Sequence, residues 1–211
     1  DGDGNLDIVT TGKDFSVHYY RNDSRNGSIH FTDVTEGSGL AGLMQPFTIS
    51  QADYDNDGWI DLLVALPYDH PVLLHNRGNG TFEDVTAASG LLEGLPEGGI
   101  AASWVTTWAD VDNDGDLDLF ISNWAFRMPM VKGVMAKPRM DSTLFINDGH
   151  GHFHNANAEL GLSSLLHDKY FIGSTFGDYD GDGFPDLFLS SPLRGTSILL
   201  HNEGGHRFVP S

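Results

Sequence analysis

Carboxylates recur at a fixed spacing in this 211-residue chain and could together hold a hard metal ion. Three nine-residue segments carry Asp at their first, third, fifth and ninth positions and Gly at the sixth: DYDNDGWID begins at Asp53, DVDNDGDLD at Asp110 and DYDGDGFPD at Asp178. A partial copy, DGDGNLD, opens the chain and places Asp1 at the third position. Because ionised carboxylates packed this closely repel one another, a folded chain that gathers them needs a counter-charge.

We number these segments loops 1 to 4 in chain order, and their donor set favours calcium. Alternating Asp residues aim three carboxylates into one turn, the Gly permits a sharp bend, and a backbone carbonyl at the seventh position with the ninth Asp can complete an all-oxygen shell. Hard oxygen ligands without His or Cys suit Ca²⁺, whereas Mg²⁺ prefers fewer protein ligands and more water. The predicted ligands are Asp1, Asp3 and Asp7 in loop 1, Asp53, Asp55, Asp57, Trp59 and Asp61 in loop 2, Asp110, Asp112, Asp114, Asp116 and Asp118 in loop 3, and Asp178, Asp180, Asp182, Phe184 and Asp186 in loop 4.

Two other interpretations of the loops are weaker. An EF-hand needs Glu at the twelfth position and a helix on each side, but that position holds Val64, Ile121 or Leu189 and the flanks look like strands. A single Asp-rich segment could be a solvated turn, since Asp, Asn and Gly are ordinary turn residues. Four copies in register make that explanation unattractive, so we expect each loop to connect two strands of a β-hairpin.

The loops belong to a longer repeat. Their ninth-position aspartates are 54, 57 and 68 residues apart, and each is followed by an apolar segment ending in Asn, at Asn22, Asn76, Asn147 and Asn202. A turn and a strand with one Phe come next, so each unit predicts four short strands. Repeats of this length favour an all-β β-propeller over a β-solenoid, whose repeats are shorter. We predict blade units at about 1–40, 41–94, 95–162 and 163–211, the first lacking its leading strand, within a larger ring that missing sequence or another chain closes.

Composition excludes several classes of protein. The formal net charge is −19, which opposes binding to nucleic acid. There is no cysteine, so disulfides, zinc fingers and thiol catalysis are excluded. No apolar run is long enough to predict membrane insertion. Residue 1 is not Met and lies inside a loop, so we expect a piece of a longer chain, which leaves the presence of a signal peptide or anchor open.

The segments ADYDNDGWIDLLVA, ADVDNDGDLDLFIS and GDYDGDGFPDLFLS resemble FG-GAP/VCBS repeats, the blades of integrin α-chain heads and of several secreted lectins. The spacing LxHNxGxGxFxDVTxxSGL is most similar to ASPIC/UnbV-associated, cartilage-acidic-protein-like repeats. The resemblance implies Ca²⁺ at the first, third, fifth and ninth loop positions, a seven-bladed ring, and a role in adhesion or in recognition of a protein or glycan ligand. A structural segment of an extracellular assembly, without its own ligand, is the alternative. Weak calcium loops work at millimolar calcium, so we expect a secreted, extracellular, cell-surface or periplasmic location.

Other features leave their roles open. Residues 124–140 interrupt the third unit and are rich in Met and basic residues; they could contact a partner or simply pack over the propeller. His150, His152 and His154 alternate along one segment and could bind a transition metal, although an ordinary strand explains them as well. The four Trp residues, of which we favour a core role for Trp104 and Trp108, could otherwise stack on sugars. Asn22, Asn26 and Asn79 begin glycosylation sequons.

Catalysis finds little support in the sequence. The chain has no Gly-x-Ser-x-Gly elbow, no HExxH and no P-loop. The clustered aspartates recur with the scaffold, whereas an active site usually occurs once. We therefore expect a binding or structural protein and not an enzyme.

Overall fold

The computed structural model describes residues 1–66, 69–93, 103–123, 141–167, 169–192 and 197–211, together with the backbone of two short strands at 130–131 and 134–135. Almost every element is a β-strand. The strands are β1 Ile8–Thr11, β2 Val17–Asn22, β3 Phe31–Asp33, β4 Thr48–Ala52, β5 Asp61–Ala65, β6 Val72–Asn76, β7 Phe82–Asp84, β8 Ser103–Ala109, β9 Asp118–Asn123, β10 Met130–Val131, β11 Val134–Met135, β12 Thr143–Asn147, β13 Phe153–Asn155, β14 Gly173–Gly177, β15 Asp186–Ser190, β16 Ile198–Asn202 and β17 Phe208–Pro210, and the single described helix is α1 Ser163–Leu166.

The strands form four antiparallel meanders, which we call blades 1 to 4. Blade 1 has the order β1-β2-β3, blade 2 β4-β5-β6-β7, blade 3 β8-β9-β12-β13 and blade 4 β14-β15-β16-β17. Each complete loop connects the first and second strands of its blade, and its ninth residue opens the second strand, as where Asp61 pairs with Ala52. The predicted all-β blade architecture is confirmed, including the absence of a leading strand from blade 1. Each predicted unit contains one of these sheets, while the exact unit boundaries stay predictions.

The apolar cores lie between adjacent blades, and the second strands of blades 2 and 3, β5 and β9, are buried on both faces. In blade 2, Leu62 and Val64 pack toward blade 1, whereas Leu63 lies in the cluster shared with blade 3. Blade 3 repeats the arrangement: Leu119 and Ile121 join the cluster with blade 2, and Phe120 joins the one with blade 4. Strand alternation therefore sends successive side chains to opposite neighbours, and the blades stack face to face.

Backbone hydrogen bonds add a second connection between blades. The segment that leaves each blade passes the last strand of the next one, so that the Phe82 N–H donates to the Ser38 carbonyl over 2.7 Å and the Phe153 N–H donates to the Ser89 carbonyl over 2.7 Å. Gly39 and Gly90 follow these serines with φ of +88° and +81°, and a Cβ on either would collide with the carbonyl of Phe82 or Phe153. This explains the glycine of the repeated Ser-Gly-Leu.

The first strands of neighbouring blades meet through polar side chains. The Thr106 hydroxyl donates to Ser50 Oγ over 2.7 Å, the Trp108 indole N–H donates to the same oxygen over 3.0 Å, and the Thr48 hydroxyl donates to the Trp104 carbonyl over 2.9 Å. Trp104 also stacks on Phe47. Both tryptophans are thus half-buried in contacts between blades 2 and 3, and Trp108 packs against the apolar cluster there.

Two sequence features fall largely outside the described residues. Of the 124–140 segment, only the backbone pairing of β10 with β11 is described, so its proposed role stays a prediction, as does that of Trp124.

Across the described ranges, no helix combines the length and apolar character needed to cross a membrane.

Candidate metal centres

The first and fifth aspartates of each complete loop fold the turn. In loop 2, Asp53 accepts the N–H of Asp57 and the N–H of Gly58, each over 3.0 Å, while Asp57 accepts the N–H of Trp59 over 2.8 Å. Loops 3 and 4 repeat these bonds from Asp110, Asp114, Asp178 and Asp182. The sixth residue has φ near +90° in every loop, with values of 90°, 90°, 97° and 94° at Gly4, Gly58, Gly115 and Gly183. Only glycine adopts this conformation readily, which explains its place in the motif.

The ninth aspartate anchors the loop to the third strand of the same blade. Asp61, 1% exposed, accepts the N–H of Asn76 over 2.7 Å and that of Tyr54 over 3.3 Å. Asp118 and Asp186 are equally buried and receive the same pair of backbone bonds. In loop 1, Asp7 accepts the N–H of Asn22 over 2.8 Å and the Tyr19 hydroxyl over 2.9 Å. These bonds fix one carboxylate beside each turn.

The loops bring many of the predicted ligands together. Oxygen atoms from Asp53, Asp55 and Asp61, from Asp110, Asp112 and Asp118, and from Asp178, Asp180 and Asp182 lie within 4.8 Å of one another in each group. Asp114 is not a member of these groups, and neither are the loop 1 residues Asp1, Asp3 and Asp7. The structure therefore presents three compact oxygen clusters in its described part, in loops 2, 3 and 4.

Two carboxylate oxygens at the third loop position are orphaned. Asp55 Oδ1 and Asp112 Oδ1 are buried and make no hydrogen bond. Burial raises the pKa of both carboxyls, and the neighbouring loop aspartates raise it further. Burial also raises the pKa of Asp61 to about 6 and that of Asp118 to about 7, against the opposing effect of their backbone hydrogen bonds. A bound dication would relieve each of these costs, so the donor set fits a hard cation.

Histidine was missed by the sequence analysis as a neighbour of the loops. His75 Nδ1 lies 3.2 Å from Asp55 Oδ2 in blade 2, and His201 Nδ1 lies 3.2 Å from Asp180 Oδ2 in blade 4. Both histidines immediately precede the repeated Asn, and antiparallel pairing of the second and third strands carries them back to the loop. The sequence signal was the repeated Leu-Leu-His-Asn.

The repeated Asn connects blades as well as closing its own loop. Asn147 of blade 3 donates its side-chain amide to the Tyr54 carbonyl of loop 2 over 2.7 Å. Asn202 of blade 4 donates in the same way to the Val111 carbonyl of loop 3 over 2.8 Å. The sequence marked these positions as recurrent but gave no indication of the bond between blades.

Neighbouring loops also touch through their fourth residue. Asn56 has φ of +57° and donates to Asp116 Oδ1 of loop 3 over 2.7 Å. Asn113 has φ of +60° and donates to the Gly183 carbonyl of loop 4 over 3.0 Å. Loops 2, 3 and 4 thus form a chain of contacts along one edge of the blades.

The histidines of the 150–154 segment do not converge. His154 Nε2 pairs with Glu159 Oε1 at 2.6 Å, while His152 Nε2 lies 3.6 Å from Glu93 Oε1. None of the clusters of potential metal ligands found in the described ranges includes these residues or His150. A transition-metal site at this segment therefore gains no geometric support.

The remaining sequence candidates occupy different environments. Trp59 is half-buried between blades 1 and 2, where its ring lies against Gly2 and Gly78. Asn22 donates its side-chain amide to the Leu6 carbonyl over 3.0 Å, and Asn79 accepts the Thr81 N–H over 3.0 Å. Asn26 is exposed in a tight turn with φ of +52°. Two of the sequon asparagines therefore have local structural roles.

Blades stacked through their second strands and tied by Asp-rich hairpins define the β-propeller class. Residues 1–64 and 53–121 match the family described as FG-GAP-like repeat. The chain belongs to this family, because the matches cover more than half of its length. The resemblance to FG-GAP/VCBS repeats is thereby confirmed.

Comparison with solved structures supports the same fold. An Agrocybe aegerita lectin, whose structure concerns specific recognition of non-reducing terminal N-acetylglucosamine, matches with a TM-score of 0.52 and 20% identity. The match covers 99% of this chain and 48% of the lectin chain, so this chain spans about half the length of that structure. Comparison with curated proteins finds no match.

Proposed function

We propose that this chain is a calcium-binding β-propeller module of a secreted or cell-surface protein that acts in adhesion or in recognition of a protein or glycan ligand. One observation carries the calcium proposal: buried third-position oxygens, Asp55 Oδ1 and Asp112 Oδ1, have no hydrogen-bond partner inside clusters of like charge. Leaving an ionised oxygen buried and unpaired is costly, and a bound cation removes the cost.

Calcium is the preferred occupant because of the donors available. In loop 3 the oxygens of Asp110, Asp112 and Asp118 converge. The backbone carbonyl of Asp116, at the seventh position, is the predicted further oxygen donor. A dication bound there would neutralise charge and tie the hairpin between the first and second strands. Calcium tolerates such flexible oxygen sites better than magnesium does. We propose the extracellular location on the same ground, since weak calcium sites fill at millimolar calcium.

Calcium counting tests the metal assignment directly. Equilibrium dialysis against millimolar calcium, followed by elemental analysis, should give three calcium ions per chain, in loops 2, 3 and 4. The incomplete loop 1 is expected to bind more weakly or not at all, since it lacks a first-position aspartate. Fewer than one bound ion per chain under these conditions would refute the proposal.

A glycan ligand is supported by a cleft and by the fold likeness. The cleft lies between blades 1 and 2, has a volume of about 680 Å³, and is lined by Trp59, Tyr19, Gln51 and Asn76 among others. The half-buried Trp59 ring beside the exposed Gln51 amide suits a sugar ring, and the lectin with the similar fold recognises terminal N-acetylglucosamine. We therefore propose this cleft as the candidate ligand site.

A glycan array tests the proposal that this cleft binds a glycan. The calcium-loaded chain should bind a defined glycan class, and Trp59→Ala should reduce binding about 5- to 30-fold, because stacking on one aromatic ring contributes about 1–2 kcal/mol. Phe188→Ala is the matched control, since Phe188 is an exposed aromatic residue on the far side of blade 4. Equal loss in both variants would contradict the assignment of the cleft.

The alternative is a structural segment without a ligand of its own. It is favoured by the apolar outer surfaces of the terminal blades, where Ile8 of blade 1 and Phe188 of blade 4 are 44% and 42% exposed. The equivalent residues of blades 2 and 3 pack against a neighbouring blade. Further blades or another chain would therefore cover Ile8 and Phe188. Arrays of glycans and proteins without a specific hit would favour this function. We do not propose a catalytic role for this chain.

A further inference from the structure

Loops 2 and 4 differ from loop 3 in one neighbouring residue. The position before the repeated Asn is His75 in blade 2 and His201 in blade 4, but Ile146 in blade 3 and Arg21 in blade 1. His75 and His201 occupy the same site on the third strand of their blades, and each is about three-quarters buried. Blades 2 and 4 therefore share one arrangement of a histidine beside the loop, and blade 3, which lacks the histidine, serves as an internal comparison.

The imidazole of His75 faces three carboxylates of its loop. Its Nδ1 lies 3.2 Å from Asp55 Oδ2 and 3.4 Å from Asp61 Oδ1, while its Nε2 lies 3.9 Å from Asp57 Oδ2. Atoms of Asp55, Asp57 and His75 lie within 4.8 Å of one another. Ligand bonds of about 2.1 Å around a tetrahedral zinc ion separate neighbouring donors by about 3.4 Å. The distances from His75 Nδ1 to Asp55 Oδ2 and Asp61 Oδ1 match this separation, whereas Asp57 lies nearer the other ring nitrogen.

The second copy has the same spacing. His201 Nδ1 lies 3.2 Å from Asp180 Oδ2 and 3.1 Å from Asp186 Oδ1, and these three residues also form a potential metal-binding group. In both blades the imidazole Nδ1 lies beside the third- and ninth-position aspartates, so the placement of His75 follows from the repeat and is not an accident of one loop.

A simple ion pair between His and Asp explains the two copies unequally. His201 Nδ1 makes a hydrogen bond with Asp186 Oδ1, which an imidazolium–carboxylate pair would require. His75 Nδ1, in contrast, is buried and forms no hydrogen bond despite its two close carboxylates, and Asp55 Oδ1 in the same group is also unpartnered. Two orphaned buried atoms on two members of one group point to an ion between them.

We propose that loops 2 and 4 are mixed nitrogen–oxygen sites, with His75 and His201 as ligands, that bind zinc in preference to calcium, whereas loop 3 keeps an all-oxygen set selective for calcium. Imidazole suits zinc, and calcium prefers oxygen donors alone. This inference rests on the proposed function to the extent that the loops must bind dications. It divides the repeated sites into two chemical types.

Competition between the metals tests the inference. The chain is dialysed to equilibrium against millimolar calcium, with and without zinc, and bound calcium is counted. Zinc should displace two calcium ions from the wild type, one from His75→Gln, and none from the His75→Gln/His201→Gln double variant. Counting the calcium lost, and not the zinc gained, makes the result independent of zinc held by surface histidines.

Two further variants complete the design. His70→Gln is the matched control, because His70 Nδ1 lies 2.7 Å from Asp69 Oδ1 in an exposed pair away from the loops, and it should behave as the wild type does. Ile146→His places an imidazole at the corresponding position of blade 3 and should raise the displaced calcium from two ions to three. This gain would show the effect even if a glutamine variant folded poorly.

The outcomes separate the inference from the proposed function. Absence of bound calcium without zinc would refute the calcium proposal, whatever zinc does. Normal calcium binding with no displacement by zinc, equal displacement from all loops, or undiminished displacement in the double variant would each overturn the mixed-site inference alone.

Discussion

At the scale of the residue, the third-position aspartate of a loop gives the strongest indication that a cation binds there. Asp112 is half-buried, its Oδ1 has no hydrogen-bond partner, and burial raises its pKa. The same position in loop 2 has the same orphaned oxygen. Because an isosteric amide keeps the shape of the side chain and removes its charge, this residue offers a clean test of cation binding.

Asp112→Asn should remove one calcium ion per chain and leave loops 2 and 4 filled. In the absence of calcium, the same change should stabilise the protein, since it removes a buried unpaired charge. Elemental analysis after dialysis and urea unfolding in a chelator check the two parts. Asp69→Asn, an exposed change outside the loops, is the control, and an unchanged calcium count in Asp112→Asn would contradict the assignment.

Residue spacing was informative where the ligands are close in sequence. The bend at Gly58, the Asp-capped turns and the clustering of Asp53 with Asp55 and Asp61 could all be anticipated from one loop. The positions of His75 and His201 could not, because the third strand lies well beyond the loop in sequence. Only the register of the sheet brings the imidazole back to Asp55.

At the scale of the element, the repeated Asn links two blades in one side chain. Asn147 is 2% exposed and its amide donates to the Tyr54 carbonyl of blade 2 and to the Leu117 carbonyl of its own loop. A pattern in the sequence marked this residue, but its long-range partner depends on how blades stack. Each hairpin could therefore be predicted, whereas the bond between hairpins could not.

Asn147→Ala should lower the free energy of unfolding by about 2–4 kcal/mol, because it leaves buried carbonyls without donors. Urea unfolding in saturating calcium measures this. Asn79→Ala is the control, as Asn79 is exposed and caps only its own turn, and it should cost less than about 1 kcal/mol. Similar losses in both variants would show that the bond between blades contributes little.

The fourth-position Asn offers a test of communication between loops. Asn56→Gly removes the bond to Asp116 Oδ1 but tolerates the positive φ, so calcium affinity of loop 3 should fall about two- to tenfold without backbone strain. Asn56→Ala should cause the same loss of calcium affinity. It should also strain the backbone of the folded chain by about 1 kcal/mol. Chelator competition measures the affinities.

The Asp112→Asn background gives the control for this prediction. With loop 3 emptied, Asn56→Gly should leave the remaining calcium affinities unchanged. If the substitution weakens binding equally in both backgrounds, its effect belongs to loop 2 and the proposed communication is wrong.

At the scale of the whole molecule, burial depends on which blade faces have neighbours. Phe120 and Phe188 both lie two residues after the ninth aspartate of their loops, yet Phe120 is fully buried and Phe188 is 42% exposed. Phe120 packs into the core between blades 3 and 4, whereas the same face of blade 4 meets no described element. The local sequence is nearly the same, so only the order of blades explains the difference.

Phe120→Ala should therefore destabilise the chain by about 3–5 kcal/mol, while Phe188→Ala should cost less than about 1 kcal/mol. Urea unfolding of both variants in calcium measures the difference. Comparable costs would mean that Phe188 is buried in solution by another copy or another element, and sedimentation would then identify the assembly.

The fold at this scale was predictable from repetition, and the spacing of the loops alone indicated four stacked blades. The pairing of β10 with β11 in the 124–140 segment was not, because it follows no repeated pattern. Apolar residues on the outer faces of blades 1 and 4 look like core residues in the sequence. Their exposure emerges only when neighbouring blades are placed.

The most direct measurement is a thermal melt of the wild-type chain in millimolar calcium, after chelation with EDTA, and after calcium is restored. Saturating one site by 100-fold over its Kd stabilises the folded state by about 2.7 kcal/mol, which corresponds to about 5–10 °C for a domain of this size. We predict that EDTA lowers Tm by at least about 5 °C and that calcium restores it. An identical Tm in all three conditions would contradict the claim that the aspartate loops hold stabilising cations.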